Sequence, residues 1–311
     1  MKEPYTALLH EEERFKDYFV VNWMLGNTCN YACSYCPSYL HDGSSPWTSL
    51  HSVLDFSEKI IHHITDRKIY FEFTGGEITM WKHLPAAAAF LKEKGAFVGL
   101  ISNGSRTARW WSENKKNLDS VCLSFHTEFA NGEHFLEIIH ILKEAVKLHI
   151  NIMVFPDLFY SSVEFAKMLE EIEGISISMQ PIIEGLRTDV YPYNAEMRAE
   201  MDNLNRGFSK KPSKPVFRGR MLKVSGNGES TVTEGAELIR NGENHWEGWV
   251  CYAGIEQIVI DNSGTIYRGW CKAGGIIGNI HYPFFSLPTI PVRCRQQSCH
   301  CNFDITSTKH K

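Results

Sequence analysis

The sequence has no run of 18 apolar residues, which excludes an ordinary transmembrane helix. Its opening stretch, MKEPYTALLHEEERFKDY, carries acidic groups where a signal peptide would carry apolar ones, so the protein is expected in the cytoplasm. No charge of one sign dominates. The 32 Lys and Arg against 36 Asp and Glu leave a net charge of −4, which points to no nucleic-acid and no membrane partner. Internal repeats and low-complexity segments are missing too. An even, regularly spread set of cysteines is also lacking: there are nine, in clusters, which speaks against the disulfide framework of a secreted domain. What is present, 43% apolar and 22% charged residues over 311 positions, is a soluble globular chain of one large domain plus an appendage, or of two ordinary domains.

The cysteines fall into two groups. Cys29, Cys33 and Cys36 sit together, and Cys251, Cys271, Cys294, Cys299 and Cys301 occupy the last fifth, with Cys122 alone. In a reducing compartment, clustered thiols are metal or cluster ligands more often than bridges. Between residues 20 and 208, β-rich runs alternate with amphipathic stretches. Strands are expected at 20–27, 69–75, 97–103, 120–127, 150–156 and 175–182, and helices at 52–65, 82–95, 107–118, 132–149, 162–174 and 195–208. Ser162 reads as an N-cap, and Gly95 and Gly174 as C-terminal stops. Six strand–helix units in succession imply a parallel sheet, as an open doubly wound sheet or an incomplete barrel; periodicity alone does not decide. Residues 209–250 lack a helical period and read as a linker with irregular or hairpin structure, and 251–271 as two short strands around Asp261-Asn262-Ser263-Gly264.

Cys29-x3-Cys33-x2-Cys36 follows directly on the first expected strand. Three thiolates from one loop leave the fourth iron of a cubane cluster without a protein ligand, open to chelation by an amine and a carboxylate. The alternative is a structural zinc site closed by His41. In its spacing, with Tyr35 just before the last cysteine and Thr74-Gly75-Gly76-Glu77 ending the second strand, the sequence resembles the radical S-adenosylmethionine (radical SAM) superfamily over about residues 20–185. The resemblance continues at the strand ends Ser102-Asn103-Gly104, Leu123-Ser124-Phe125-His126 and Met179-Gln180-Pro181, and departs from it at Ile78, where many members have proline.

That resemblance implies a partial (β/α)6 barrel over residues 1–208 that binds a [4Fe–4S] cluster through Cys29, Cys33 and Cys36. It implies S-adenosylmethionine contacts from Tyr35, Gly75, Gly76, Glu77, Ser102, Asn103, Ser124 and Gln180. The CxAG start at Cys251 and the glycine before Cys271 resemble the auxiliary-cluster extension called SPASM in its long form and twitch in its short form. Residues 251–311 are accordingly expected to hold a second [4Fe–4S] cluster on four of Cys251, Cys271, Cys294, Cys299 and Cys301, with a zinc knuckle as the alternative. The implied reaction is cleavage of S-adenosylmethionine to a 5′-deoxyadenosyl radical that abstracts a hydrogen atom. The substrate is either a ribosomally made peptide undergoing oxidative modification (cross-linking, epimerisation or dehydrogenation) or a sugar-like small molecule. A flavodoxin- or ferredoxin-type protein would supply electrons, and a non-enzymatic zinc or iron–sulfur protein is the reading from another class. No peptide-clamping domain is expected ahead of the barrel, since the triad begins at Cys29.

By the two-residue period Cys122, Ser124 and His126 share one strand face, which makes His126 a candidate for binding or deprotonating substrate. Trp110-Trp111 reads as helix packing. The basic run Arg206, Lys210, Lys211, Lys214, Arg218, Arg220 and Lys223 reads as a solvated linker, or as a docking site for an anionic substrate or electron donor.

Overall fold

A computed structural model describes residues 5–12, 16–183, 190–210, 220–282, 285–299 and 301–311. Its first half runs β1 (Tyr5–His10), β2 (Tyr18–Met24), α1 (Leu50–His63), β3 (Lys68–Thr74), α2 (Leu84–Glu93), β4 (Phe97–Ser102), α3 (Ala108–Asn114), β5 (Ser120–His126), α4 (Gly132–Leu142), β6 (Lys147–Val154), α5 (Phe159–Leu169), β7 (Ser176–Pro181) and α6 (Ala195–Ser209). The remainder is strand-rich: β8 (Arg220–Ser225), β9 (Ser230–Glu234), α7 (Gly235–Arg240), β10 (Val250–Cys251), β11 (Gln257–Ile260), β12 (Thr265–Tyr267), β13 (Ile276–Asn279), β14 (Val292–Arg293), α8 (Asn302–Ile305) and β15 (Lys309–His310). The result is a mixed α/β protein with six strand–helix pairs from β2 to α6. No helix among the described residues is long and apolar enough to cross a membrane.

The chain divides into two compact units, one of Met1–Leu25, Thr48–Glu72 and Phe217–Lys311, the other of Gly26–Trp47 and Phe73–Val216. In the second unit β4, β5, β6 and β7 pair in parallel, with Cys122 opposite His149 and His149 opposite Ser176. Strand β6 buries every second residue, Leu148, Ile150, Ile152 and Val154, as the two-residue period requires. Helix α4 buries Phe135, Ile138, Ile139 and Leu142 at three- and four-residue steps, behind an N-cap in which the Asn131 side chain accepts from His134 N–H. Between helices and sheet, Phe125 stacks on Phe165 with ring centroids 3.7 Å apart.

Two expected boundaries move. The helix expected over 132–149 stops at Leu142, because from Lys147 the apolar spacing changes from helical to alternating. Helix α5 begins at Phe159, after Pro156 starts a 3-10 turn, so Ser162 lies inside the helix and its hydroxyl donates to the Leu158 carbonyl instead of capping. Gly95, at φ +79°, does end α2, whereas Gly174, at φ +81°, comes after α5 has ended and turns the chain toward β7.

The first unit contains an antiparallel sheet of order β14-β10-β15-β1-β8-β9. Strand β1, not expected from the sequence, lies between β15 and β8. The expected turn at Asp261 is present: β11 and β12 pair antiparallel, and Asp261 Oδ1 accepts from the backbone of Ser263 and Thr265. Strand β11 in turn runs parallel to β2, with Gln257 opposite Val20. The chain's early residues thus share a unit with residues 217–311, and the boundaries expected at 208/209 and 250/251 do not coincide with this division. The expected linker holds the hairpin β8–β9 and α7 in its described part, and its residues 211–219, with Lys211, Lys214 and Arg218, lie outside the described residues.

Candidate functional site

The triad loop leaves β2 and is fixed at its root by Asn27. Fully buried, Asn27 donates through Nδ2 to the Tyr39 carbonyl, Asp42 Oδ1 and Ser44 Oγ. Cys36 N–H donates to the Cys33 carbonyl, a tight turn that sets the last two thiols on one short arc. Three strand ends then hold the loop.

The end of β3 meets it through Gly76 and Glu77. Gly76 has φ +49°, and a Cβ there would run into the Thr28 carbonyl next to Cys29. Only glycine allows this approach, which Glu77 N–H completes by donating to that carbonyl at 2.8 Å. Gly75 is also left-handed, at φ +107°. Ile78 takes the first position of a 3-10 turn, where a proline would also fit, so the departure from the family pattern leaves the backbone path intact.

The Glu77 side chain is 0% exposed. Its Oε1 accepts from Thr79 N–H (3.0 Å), Thr79 Oγ1 (2.6 Å) and Ser102 Oγ (2.8 Å), and its Oε2 from Asn103 N–H (2.6 Å). Burial raises its pKa, and these donors pull against that. Asn103, at the end of β4, reaches from Glu77 to the triad loop: its Nδ2 lies 3.1 Å from Asn30 Oδ1 and 3.8 Å from Cys29 Sγ.

The third tie comes from the end of β5. His126 Nδ1 and the Tyr35 hydroxyl share a 2.6 Å hydrogen bond with their rings stacked at 19°, and Glu128 accepts from Ser34 N–H at 2.9 Å. Tyr31 stacks on Phe129. Burial lowers His126 to about 4, so its ring is neutral near pH 7, and burial raises Tyr35 well above the phenol range. His126, expected at the mouth as a substrate-binding or proton-accepting group, is in this structure a partner of Tyr35. Glu128, Thr79 and Asn27 carried no signal in the sequence. Glu128 serves the site through Ser34, far from it in the chain, Asn27 through Tyr39, Asp42 and Ser44 of its own loop, and Thr79 through its near neighbour Glu77.

Ser124 and Gln180 lie on the inward face of the same sheet, below the strand ends. That face carries a neutral polar network. Asn151 turns Nδ2 toward Cys122 Sγ (3.1 Å), so its Oδ1 accepts from His149 Nε2 (2.9 Å), and His149 Nδ1 accepts from the Ser176 hydroxyl (2.6 Å). Ser178 Oγ donates to Asn151 Oδ1 and accepts from Gln180 Nε2 at 2.7 Å. Burial lowers His149 to about 4. Trp111 is buried and meets Trp110 edge-on, as packing requires.

The C-terminal cysteines are held by a different set of ties. Cys294 N–H donates to the Trp249 carbonyl, and buried Asn244 exchanges two hydrogen bonds with the Cys299 backbone. Asp304, buried just after Cys301, accepts from Cys271 N–H at 2.8 Å and from Trp270 N–H at 3.1 Å. A Cβ on Gly269 would come within 2.7 Å of Asp304 Oδ1, so the glycine is what allows this approach.

Burial pushes Cys33 and Cys271 up to about 12 and Cys36 up to about 11, and raises Cys29, Cys251, Cys299 and Cys301 as well. Such thiols ionise only against a compensating cation, so metal binding here must release protons. Among the described residues no three of His, Cys, Asp and Glu lie close enough to hold one metal ion, and His41 does not close a zinc site with the triad. A cubane holds its thiolates on separate corners, more widely spread than the shell of a single ion. Three thiols on one loop and a glycine-cleared approach beside Cys29 fit such a cluster.

Residues 23–169 match the family model of the Radical SAM superfamily, so this stretch is a radical SAM domain, and the chain extends beyond it on both sides. A [4Fe–4S] cluster and S-adenosylmethionine are the cofactors of such a domain. Among solved structures, the fold is similar to native anSMEcpe with bound AdoMet and Kp18Cys peptide, with a TM-score of 0.58 and 16% identity over 85% of this chain and 78% of that one. It is also similar to Streptococcus suis SuiB bound to precursor peptide SuiA, with a TM-score of 0.53 and 12% identity over 86% of this chain and 63% of that one. No curated protein matches the sequence.

Proposed function

We propose that this protein is a radical SAM enzyme that oxidatively modifies a ribosomally made peptide, with the triad cluster in the 1–208 portion and an auxiliary cluster of twitch type in 251–311. The observation that carries the reading is the Cys29–Cys36 loop, within the family match, clasped by the ends of three successive strands through Glu77, Asn103 and His126. When bound, the cluster and S-adenosylmethionine supply a 5′-deoxyadenosyl radical by one-electron cleavage of the sulfonium.

The chain's own part is to bind, orient and exclude water. Cys29, Cys33 and Cys36 would hold the cluster, and the Gly75-Gly76 turn keeps the loop beside Cys29. Glu77 acts through the loop it holds, since its carboxylate already accepts from four protein donors. Tyr35, Ser102, Asn103, Ser124 and Gln180 would line the S-adenosylmethionine side. His126, neutral near pH 7, would orient Tyr35 or hydrogen-bond substrate; a ring lowered to about 4 is a weak base. The peptide substrate is favoured by the peptides present in the anSMEcpe and SuiB complexes of similar fold. Nine free thiols suit a reducing compartment such as the cytoplasm, where a flavodoxin or ferredoxin could supply the electron.

Anaerobic reconstitution should give about eight irons per chain, four in each of two cubanes. With dithionite the protein should release 5′-deoxyadenosine. Changing Cys29, Cys33 and Cys36 together to Ala should halve the iron and abolish this product. Unchanged iron in that variant would sink the assignment of the triad.

A further inference from the structure

Lys309 is the only lysine or arginine among the described residues that is buried, at 2% exposure. An ammonium so placed needs a full set of acceptors. It has them: Nζ donates to the carbonyls of Asp304 (2.9 Å), Ile305 (2.9 Å) and Ser307 (3.0 Å). Three acceptors at these distances match the three N–H bonds of an ammonium. The Trp246 ring lies below it, 4.7 Å from Nζ to the centroid.

The charge sits among the C-terminal cysteines. Lys309 is directly opposite Cys251 in the antiparallel β10–β15 ladder, where paired side chains are near neighbours. Two of the carbonyls it binds, of Asp304 and Ile305, belong to the turn of helix that Cys301 precedes, the third, of Ser307, follows that turn, and Asp304 holds the Cys271 backbone. The other charges facing this nest are Arg268, which interacts with Cys251 while donating to the Ala253 and Ile290 carbonyls, and two carboxylates. Asp304 is spent on Trp270, Cys271 and Gln257, and Glu256 faces His10 and the Thr308 N–H.

We propose that Lys309 is a charge-compensating positioning residue for the C-terminal cysteine set. It supplies the fixed positive charge against which these thiolates hold an iron–sulfur cluster, and it raises that cluster's reduction potential. Four thiolates give a cubane a net negative charge, and adding an electron deepens it. A buried cation nearby therefore favours the reduced form and, before that, the binding of thiolates at all. The assignment rests on the reading that 251–311 carries an auxiliary cluster.

The test uses the reconstituted full-length chain as wild type and as Lys309→Arg, Lys309→Gln and Lys309→Met, with redox titration of both clusters followed by electron paramagnetic resonance. Arginine keeps the charge; glutamine keeps a donor for the carbonyls without it; methionine keeps only the length. Gln and Met should lower the midpoint potential of the second cluster, leave the triad cluster's potential unmoved as an internal reference, and be matched by Arg remaining near wild type. Loss of four irons in Gln and Met but not in Arg would support the same conclusion, with the charge needed for assembly. An unshifted second potential in Gln and Met would overturn it, as would loss of the cluster in all three variants, which would make Lys309 a packing residue. Only four irons in the wild type would instead refute the two-cluster reading, and this assignment with it.

Discussion

Replacing Glu77 separates holding the site together from touching its ligand. In the folded protein two main-chain N–H groups, of Thr79 and Asn103, and two hydroxyls, of Thr79 and Ser102, converge on one buried carboxylate. Alanine would orphan both buried N–H groups, at roughly 1–3 kcal/mol each, whereas the hydroxyls can turn elsewhere. Relief of a buried charge offsets part of that loss, leaving a net destabilisation of about 3 kcal/mol. Glutamine keeps an oxygen for Thr79 and Ser102 but aims an NH2 at the Asn103 N–H, so it should lose about 1–3 kcal/mol, the cost of one orphan. The order in urea unfolding should be wild type, then Gln, then Ala. Because Asn103 carries the clasp to Asn30 and Cys29, iron should be lost from the triad cluster and not from the C-terminal one. A Glu77→Ala protein as stable as wild type, with full iron and only weaker S-adenosylmethionine binding, would refute the clasp and make Glu77 a ligand contact.

Two further outcomes follow from single positions. Gly76→Ala adds a left-handed backbone penalty to a clash with the Thr28 carbonyl, about 2–5 kcal/mol together, whereas Gly95→Ala, with no atom within 4 Å of its Cβ, should cost only about 1–2 kcal/mol; equal urea midpoints for the two would remove the close-approach argument. His149 is held near 4 while an unfolded imidazole titrates near 6.5, so the unfolded state binds more protons between these values and stability is lost as pH drops from 6.5 toward 4. Between pH 7 and 5 the wild type should therefore lose about 2 kcal/mol more than His149→Gln, since His126 acts alike in both; parallel stability curves would show that His149 is not held neutral.

What the sequence revealed was what neighbours along the chain decide. The cysteine spacing, the Gly-Gly-Glu turn and the alternation of β5 and β6 are local, and each stands within a few residues of its expected place. The over-long helix at 132–149 shows where local reading falters: Leu142 and Val146 are both buried and one helical turn apart, so the helical spacing runs into the strand's alternation without a break. Strand β1 is short and was hidden by the charged residues that follow it. The pairing of β2 with β11 joins residues far apart in sequence, and no periodicity in either strand names its partner. The site divides in the same way. Its thiols and Asn103 were legible, but other residues that hold them, Glu128 for Ser34 and Lys309 opposite Cys251, are fixed by tertiary contacts alone.

Those holding residues differ in charge between the two thiol sets. Around the triad the nearby ionisable partners are acidic: Glu77 adds to the rise that burial causes at Cys29, and Glu128 adds to it at Cys33. Around the C-terminal set, Asp304 is matched by Lys309, whose charge opposes the burial of Cys251 and Cys299. Among the described residues, two carboxylates beside the triad would bias a cluster there against accepting an electron. With Lys309 offsetting Asp304 and Arg268 also near Cys251, the C-terminal set lacks that bias. The same fold thus gives its two cysteine sets unequal electrostatic surroundings through side chains that ligate nothing. The difference lies in the sense an oxidative enzyme needs if its second site is to take an electron away from substrate.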